Sequence, residues 1–243
     1  MLPNSDWERV LTDRWCLLLG PVPSSTLVSR LRLDPDEIAE AIHEVRAEIA
    51  AHGHRSAEWK VGPSSTPSDL VDRLVAHGLQ PEDHLTALVL ADAPPEVPGI
   101  DAQRVRDLDQ FRASMEITHD VFETSADKRR EWEAVVEERF ESEQKGLGPR
   151  SYIAYLDGRP VGAAASVVEE GLPAAIMVGG AVVPDARGKG VYRALVRARW
   201  DDTVAAGIPA LTVQARITSR PILESLGFER TGELEVLIDP ATC

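Results

Sequence analysis

Cysteine is nearly absent from this chain. Cys16 and Cys243 stand at opposite ends of 243 residues, which excludes a disulfide framework or a cysteine-based metal cluster. Long apolar runs are absent as well, and no stretch approaches the roughly 20 residues that span a bilayer. The opening Met1-Leu2-Pro3-Asn4-Ser5-Asp6 has no basic region followed by an apolar run, so no signal peptide is expected. Basic charge is in deficit: 26 Lys and Arg face 40 Asp and Glu, for a net charge of −14. A nucleic-acid binder usually carries a basic footprint, so that class is set aside. An acidic surface suits a cationic partner, although it mostly serves solubility. The expectation is a soluble cytoplasmic protein with no metal, no nucleic-acid partner and no membrane partner. What is present is core material: 43% of the residues are hydrophobic, enough for one large or two small domains.

The stretch from Ala181 to Leu195, AVVPDARGKGVYRAL, holds most of the chemical information. Ala181-Val182-Val183 reads as a strand end and Pro184-Asp185 as a turn. Arg187-Gly188-Lys189-Gly190 is a glycine-spaced loop, and an amphipathic helix follows with Tyr192, Val196, Trp200 and Val204 on one stripe. Glycines at a helix start let the backbone approach a ligand. The first N–H groups lack intrahelical partners, and the dipole favours anions there. With the charges of Arg187 and Lys189 added, the expectation is a phosphate or pyrophosphate site. The phosphate loop of nucleoside triphosphatases, G-x-x-x-x-G-K-[ST], is absent. The dinucleotide fingerprint G-x-G-x-x-G lacks its third glycine, because Arg193 stands there. The alternative to a ligand site is an ordinary strand-turn-helix that uses glycine for tightness.

Gly207-Ile208-Pro209 ends that helix, and Ala210 to Gln214 reads as a short buried strand. Ser219 to Phe228, SRPILESLGF, reads as a short helix with Ser219 as N-cap, Pro221 in the first turn and Gly227 as the stop. Glu233 to Ile238 alternates as a last strand. Arg187 to Tyr192 resembles the acyl-CoA loop of the GNAT superfamily of N-acetyltransferases, [QR]-x-x-G-x-[GA], with Tyr192 in place of the last small residue. Leu226-Gly227-Phe228 resembles the ending of the last GNAT helix. The order loop, helix, strand, short helix, strand over about sixty residues carries the resemblance. It implies an α/β fold of the α+β mixed-sheet kind.

The first half, residues 1–98, reads as Asp6 to Leu19 helix into strand, then a strand from Leu27 to Leu33. Asp34-Pro35-Asp36-Glu37 opens a helix to about Ala51, with Asp34 as N-cap and Pro35 at the first position. A strand at Glu58 to Val61, a helix from Ser68 to His77 and a strand from Leu85 to Leu90 follow. This order matches the C-terminal part, and Leu74 to Leu79 stands where Leu223 to Phe228 stands. The first half therefore resembles a truncated, degenerate GNAT unit. Three acids at its helix start would repel a pyrophosphate, so it is not expected to bind CoA. The alternative is that this order recurs in any α/β protein. Asp92 to Pro98, with Pro94, Pro95 and Pro98, reads as a linker, which places domains at 1–98 and 99–243.

The second half opens with a strand from Ile100 to Val105. Helices follow at Leu108 to Phe122 and Asp127 to Gln144, with Trp132, Val135, Val136 and Phe140 inward in the second. Ser151 to Leu156 and Pro160 to Val168 form a hairpin around Asp157-Gly158. A strand from Ala174 to Val183 contains Gly179-Gly180, which signals a bulge or a close backbone approach.

The resemblance implies acetyl transfer from acetyl-CoA, as co-substrate, to a small-molecule or peptide amine. The helical pair would wall the acceptor site. The strand holding Gly179-Gly180 would splay from its neighbour to admit the pantetheine arm. Implied cofactor contacts are the N–H groups of Gly188 to Tyr192, including Val191, with Arg187, Lys189 and Ser219; Ala181, Val182 and Val183 supply a donor for the thioester oxygen. An alkylammonium of pKa ~10.4 must lose a proton to react. The family's usual residues for proton transfer are missing. Leu223 stands at the tyrosine acid, Arg216 at a frequent asparagine, and Ile176 or Met177 at the glutamate base. Substitute candidates are Glu123, His119, Asp120, Glu169, Glu170 and Tyr192. Each carboxylate also reads as a solvated charge, His119 as a packed histidine and Tyr192 as a group packed on CoA. The competing class is a non-catalytic acyl-CoA-binding sensor or a scaffold with a degenerate GNAT fold.

Overall fold

The computed structural model describes residues 7–169 and 171–242. The readings made on Met1 to Asp6, Glu170 and Cys243 lie outside the described residues. The chain divides into two compact units.

The first unit holds the described residues up to Ala87, Ala215–Ile217, and the residues from Thr231 on. Its elements are β1 (Glu8–Leu11), β2 (Cys16–Leu19), β3 (Thr26–Ser29), α1 (Ile38–Ala51), β4 (Glu58–Val61), α2 (Leu70–Ala76) and β5 (Gln80–Leu90), which runs on past the unit's edge. The last strand of the chain, β11 (Glu229–Ile238), enters this unit at Thr231. The strand order is β1-β2-β3-β4-β11-β5. β1, β2 and β3 pair antiparallel, β3 and β4 parallel, and β4 and β11 antiparallel. Ile38, Ala41, Ile42, Val45 and Ile49 repeat on one face of α1 and are all buried. They join Trp15, Leu17, Trp59, Leu74 and Leu237 in one core, each large apolar side chain contributing about 1.5–3 kcal/mol.

Three expectations need correction here. The segment read as a helix from Asp6 is the β1–β2 hairpin, because Leu17 and Leu19 alternate into the core around a turn in which Thr12 Oγ1 donates to the Trp15 carbonyl (3.2 Å). Helix α1 begins at Ile38, with Glu37 as its N-cap residue. Asp34 to Glu37 form the preceding turn, in which the Asp34 N–H donates to Glu37 Oε2 (3.4 Å). The strand expected to reach Leu33 ends at Ser29, although Leu31 and Leu33 stay buried.

The second unit spans Leu88–Gln214 and Thr218–Arg230. It contains β6 (Asp101–Arg104), α3 (Leu108–Val121), α4 (Ala126–Ala134), α5 (Val136–Gln144), β7 (Arg150–Leu156), β8 (Arg159–Val167), β9 (Ala175–Val182), α6 (Val191–Ala205), β10 (Leu211–Ala215) and α7 (Arg220–Glu224). The strand order, starting from the end of β5, is β5-β10-β9-β8-β7-β6. Only the β9–β10 pair among β6 to β10 is parallel, and α6 is its crossover. Ser125 Oγ caps α4 by accepting from the Lys128 N–H (3.4 Å), and Asp107 caps α3 by accepting from the Gln110 N–H (2.8 Å). The helix expected over Asp127 to Gln144 is broken at Val135, a β-branched residue that serves as the C-cap of α4 and the N-cap of α5.

The two units do not divide the chain as the Asp92–Pro98 linker does. The division falls between Ala87 and Leu88, and the segment from Thr231 joins the first unit through the β4–β11 ladder, Val61 facing Glu235 and Glu58 facing Ile238. The parallel pair with a crossover helix, then a short helix and a strand, occurs in both halves of the sequence: β3-α1-β4-α2-β5 and β9-α6-β10-α7-β11.

Candidate functional site

The site is built on β9. Gly162 faces Val182 and Ala163 faces Ala181 across the β8–β9 ladder, but Ala165 faces Val178. One residue of β8 therefore opposes the pair Gly179-Gly180, which is a bulge, and Gly179 takes a φ of +59° that L residues rarely adopt. On the other edge the β9–β10 ladder covers Ala175 to Met177 and ends at the Met177–Val213 pair. From Val178 onward, then, β9 bears a bulge toward β8 and no pairing register with β10.

Past Val182 the chain makes a short turn at Pro184–Ala186 and enters the loop. Gly188 has φ +76° and Gly190 φ +89°, both left-handed. Gly190 is the N-cap of α6, and its carbonyl accepts the Ala194 N–H at 3.0 Å. The N–H groups of Val191, Tyr192 and Arg193 precede that first helical bond. A Cβ on Gly190 would lie 2.9 Å from Val97 Cγ1. Arg187 and Lys189 are exposed. Arg187 Nε donates to the Val182 carbonyl (3.2 Å), and among the described residues neither cation pairs with a carboxylate. The loop thus offers oriented donors and two unneutralised positive charges, the features an anion requires.

Tyr192 turns inward. Its Cε2 would lie 2.6 Å from a Cβ built on Gly180, so its ring rests on the bulge. Burial raises the Tyr192 pKa, and the positive charge of Arg199 offsets that in part. Arg199 is 1% exposed; its Nε donates to the Leu195 carbonyl (3.0 Å) and its Nη1 to the Ala165 carbonyl (3.4 Å). Burial lowers its pKa, and the Tyr192 and Tyr152 hydroxyls counter that. Tyr152 is buried and donates to Asp202 Oδ2 (2.8 Å), which also accepts from Arg150 (2.7 Å). Sequence reasoning missed Arg199. The available signal was its place in the i, i+4 series Val191, Leu195, Arg199, Thr203, all buried. Val204, read as part of the apolar stripe, is instead 47% exposed.

The linker also belongs to the site's surroundings. Arg197 Nη1 donates to the Pro94 carbonyl (2.9 Å), and Val97 lies against Gly190. On the opposite face of β9, Ala181 packs with Ile117 of α3 and Ala163, while Val182 packs toward Val191 and Leu195.

The remaining candidates are scattered. His119 lies in a hollow with Arg112, Met115, Glu116, Arg129, Arg130 and Glu133, while Phe111, Ser114 and Ile117 are the buried residues of α3. Burial, and next Arg129, lower the His119 pKa. Asp120 pairs with Arg129 at 2.9 Å. Glu123 is exposed after the end of α3, at φ +51°. The Glu169 carbonyl closes the turn to Leu172 (3.2 Å). Ser219 precedes α7 without capping it by its side chain, and its carbonyl accepts from Ile222 and Leu223, both at 3.1 Å. Leu223 is fully buried, and Gly227 stops the segment at φ +95°. Arg216 pairs with Asp83 at 2.7 Å within the first unit. Among the described residues no group of three or more His, Cys, Asp or Glu is arranged to hold a metal ion. No helix among them is long and apolar enough to cross a membrane.

A mixed α/β unit with a bulged strand feeding a glycine loop and a crossover helix defines an acyltransferase-like class of fold. Residues 119–236 match the acetyltransferase (GNAT) domain family. Solved structures share the fold over almost the whole length. A GCN5-related N-acetyltransferase from Kribbella flavida is similar at 19% identity and a TM-score of 0.68, covering 97% of this chain and 90% of its own. A functionally unknown conserved protein from Staphylococcus epidermidis gives 13% identity and a TM-score of 0.72, over 96% and 94%. A tandem GNAT protein from the clavulanic acid biosynthesis pathway gives 19% identity and a TM-score of 0.60, over 93% and 78%. No curated protein matches the sequence.

Proposed function

We propose that the second unit binds acetyl-CoA and transfers its acetyl group to an amine in a ternary complex. The observation that carries this reading is the loop Arg187 to Gly190, with left-handed Gly188 and Gly190 opening α6 beside two cations that pair with no carboxylate among the described residues. The N–H groups of Val191, Tyr192 and Arg193 would hold the pyrophosphate together with Arg187 and Lys189. The edge of β9 freed beyond Met177 leaves room for the pantetheine arm, and its backbone N–H groups, up to Val183, are the donors available to a thioester oxygen. Acetyl-CoA supplies the activated acetyl group; the chain supplies binding, orientation and a polarising donor.

The acceptor is a small-molecule or peptide amine, and the net charge of −14 favours a cationic one. Catalysis would rest mainly on position. Ile176 and Met177 are apolar where a glutamate base would stand, and Leu223 is packed in the interior where a tyrosine acid would stand. Glu123, His119, Glu169 and Glu170 are then the residues to vary in a search for a base. We place the protein in the cytoplasm. The buried Leu223 also favours a second reading, an acyl-CoA sensor without turnover.

Calorimetric titration with acetyl-CoA tests binding, with one site per chain and a micromolar Kd expected. No heat and no thermal shift at millimolar acetyl-CoA would overturn it. Turnover against a panel of amines separates enzyme from sensor.

A further inference from the structure

The segment that leads into β6 touches the start of α6 at three places, all within the second unit. Pro94 is buried, and its carbonyl accepts from Arg197 Nη1 (2.9 Å) in the second turn of the helix. Arg197 Nη2 lies 3.7 Å from Glu96, and Asp201 fixes the same guanidinium at 2.8 and 2.9 Å from Nε. Val97 Cγ1 would lie 2.9 Å from a Cβ on Gly190, so the valine fills the space that the glycine leaves free. Ile100 packs against the cluster that holds Ala186, Val191 and Leu195. The segment is stiff by its own sequence. Pro94, Pro95 and Pro98 fix their φ, and Pro98 keeps Val97 extended, so little freedom is lost when the contacts form. The loop that it touches is the opposite, because glycine loses more freedom than any other residue on being fixed. Nothing lies within 4 Å of a Cβ on Gly188, whereas Gly190 has Val97. The contact therefore falls on the N-cap, where the N–H groups of Val191, Tyr192 and Arg193 begin.

We propose that residues 94–100 are a brace that holds Gly190 left-handed before the ligand arrives, so that the helix-start N–H groups already point at the pyrophosphate. This rests on the acyl-CoA reading above. Val97 and Arg197 are positioning residues: Val97 presses on the N-cap, and Arg197 ties the brace to the body of α6. Neither touches the ligand. Their effect on affinity comes from order paid for at folding instead of at binding.

The test uses the full chain and the variants Val97→Gly, Arg197→Ala, the two combined, and Arg197→Lys. Calorimetry with free CoA gives Kd. Hydrogen exchange without ligand reads the amides of residues 188–192 against those of β7 and β8. Val97→Gly and Arg197→Ala should each weaken CoA about tenfold, the scale of fixing one residue's backbone on binding instead of beforehand. The combined variant should lose little more than the larger single loss, because both act through one segment. Arg197→Lys keeps a donor for the Pro94 carbonyl and should recover part of the affinity. Exchange at 188–192 should rise at least about threefold in the first two variants with β7 and β8 unchanged, whereas general destabilisation would raise both. The salt dependence of Kd should be the same in Val97→Gly as in the wild type, since no charge is removed. Wild-type affinity and exchange in Val97→Gly overturn the brace. Faster exchange with an unchanged Kd overturns it too, because the segment would then hold the loop without serving the ligand. So does a loss confined to Arg197→Ala, which would mean that Arg197 meets the ligand through its charge. If free CoA fails to bind the wild type, the acyl-CoA reading itself fails, and exchange at 188–192 still shows whether the segment holds the loop. Should Arg197→Ala fail to fold, Val97→Gly and Arg197→Lys decide by the same two readouts.

Discussion

The starts of α1 and α6 are two solutions to one structural problem. Each helix crosses between parallel strands, β3 to β4 and β9 to β10. At α1 the preceding Asp34 to Glu37 turn closes on itself, and the acids at its start are met from inside the unit. Arg14 reaches Glu37 at 4.0 Å, Glu40 at 3.7 Å and Glu44 at 2.5 Å. At α6 two left-handed glycines open the helix, and the neighbouring cations have no carboxylate among the described residues. One start is acidic with Arg14 set against it, and the other is electropositive. On the proposed function, the same crossover serves stability in one unit and a ligand in the other, and four residues make the difference.

Exchanging those four residues should have the largest effect. With Arg187-Gly188-Lys189-Gly190 replaced by the Asp-Pro-Asp-Glu found at 34–37, acetyl-CoA affinity is expected to fall by more than about 100-fold, as cations become anions at a helix start. Gly190→Glu alone should approach that loss, since it adds charge at φ +89° and a Cβ 2.9 Å from Val97. The reverse graft at 34–37 should create no second site. A Kd within threefold of the wild type after the exchange would break the comparison.

The first unit is held together by charge elsewhere too. Arg46 donates to both oxygens of Asp239 at 2.8 Å, and the Asp239 side chain is 0% exposed. Arg46→Ala leaves a buried carboxylate short of donors and is expected to cost about 2–3 kcal/mol in urea unfolding. Acetyl-CoA affinity at low temperature should stay within about twofold of the wild type, because the loop lies in the second unit. A smaller effect, about tenfold in affinity, is expected for Arg187→Ala combined with Lys189→Ala, because both cations are exposed and screened. The salt dependence of Kd should flatten in that variant, and an unchanged salt dependence would show that the cations do not face the ligand.

The sequence shows the loop well because its demands are local. Gly188, Gly190 and Gly227 take the positive φ that their glycines allow, and Asp157-Gly158 turns a hairpin at φ +52° and +74°. The strand glycines Gly179-Gly180 mark the bulge. What the sequence hides is pairing across distance. Nothing near Thr231 announces that β11 pairs with β4, some 175 residues earlier (Glu235 with Val61, Val236 with Lys60), so a linear cut at residue 98 cannot reproduce the two units. Strands of four residues, such as β1 and β2, are too short to separate from a helical turn by periodicity. Arg199 hides for a different reason. A charged residue in a buried i, i+4 series reads as a break in the stripe until Tyr192 and the Leu195 carbonyl are seen around it.

The finest test concerns how the first unit holds its two longest strands. His84 on β5 bridges β11, with Nδ1 2.6 Å from Glu235 and Nε2 3.1 Å from Glu233, and Thr86 donates to the same Glu233 at 2.9 Å. Asp83 beside it is engaged by Arg216 at 2.7 Å. The hydrogen bond to Glu235, and the charges of Glu235 and Glu233, raise the His84 pKa. A pKa raised in the folded state means that the folded chain holds the proton more tightly. The contribution is therefore fully present below the unfolded value of about 6.5 and is lost as pH rises through the raised value. The wild type should lose a small increment of thermal stability, under about 2 °C in Tm, across that window, and His84→Gln should not. The effect is small because His84 is 54% exposed and water competes for each contact. No counterpart is expected at the start of α6, where no histidine stands, so the pH dependence of acetyl-CoA affinity over this window should be the same in His84→Gln as in the wild type. A His84 dependence of that affinity would mean that the bridge on β5 and β11 reaches the loop, and the contrast between the two units would have to be redrawn.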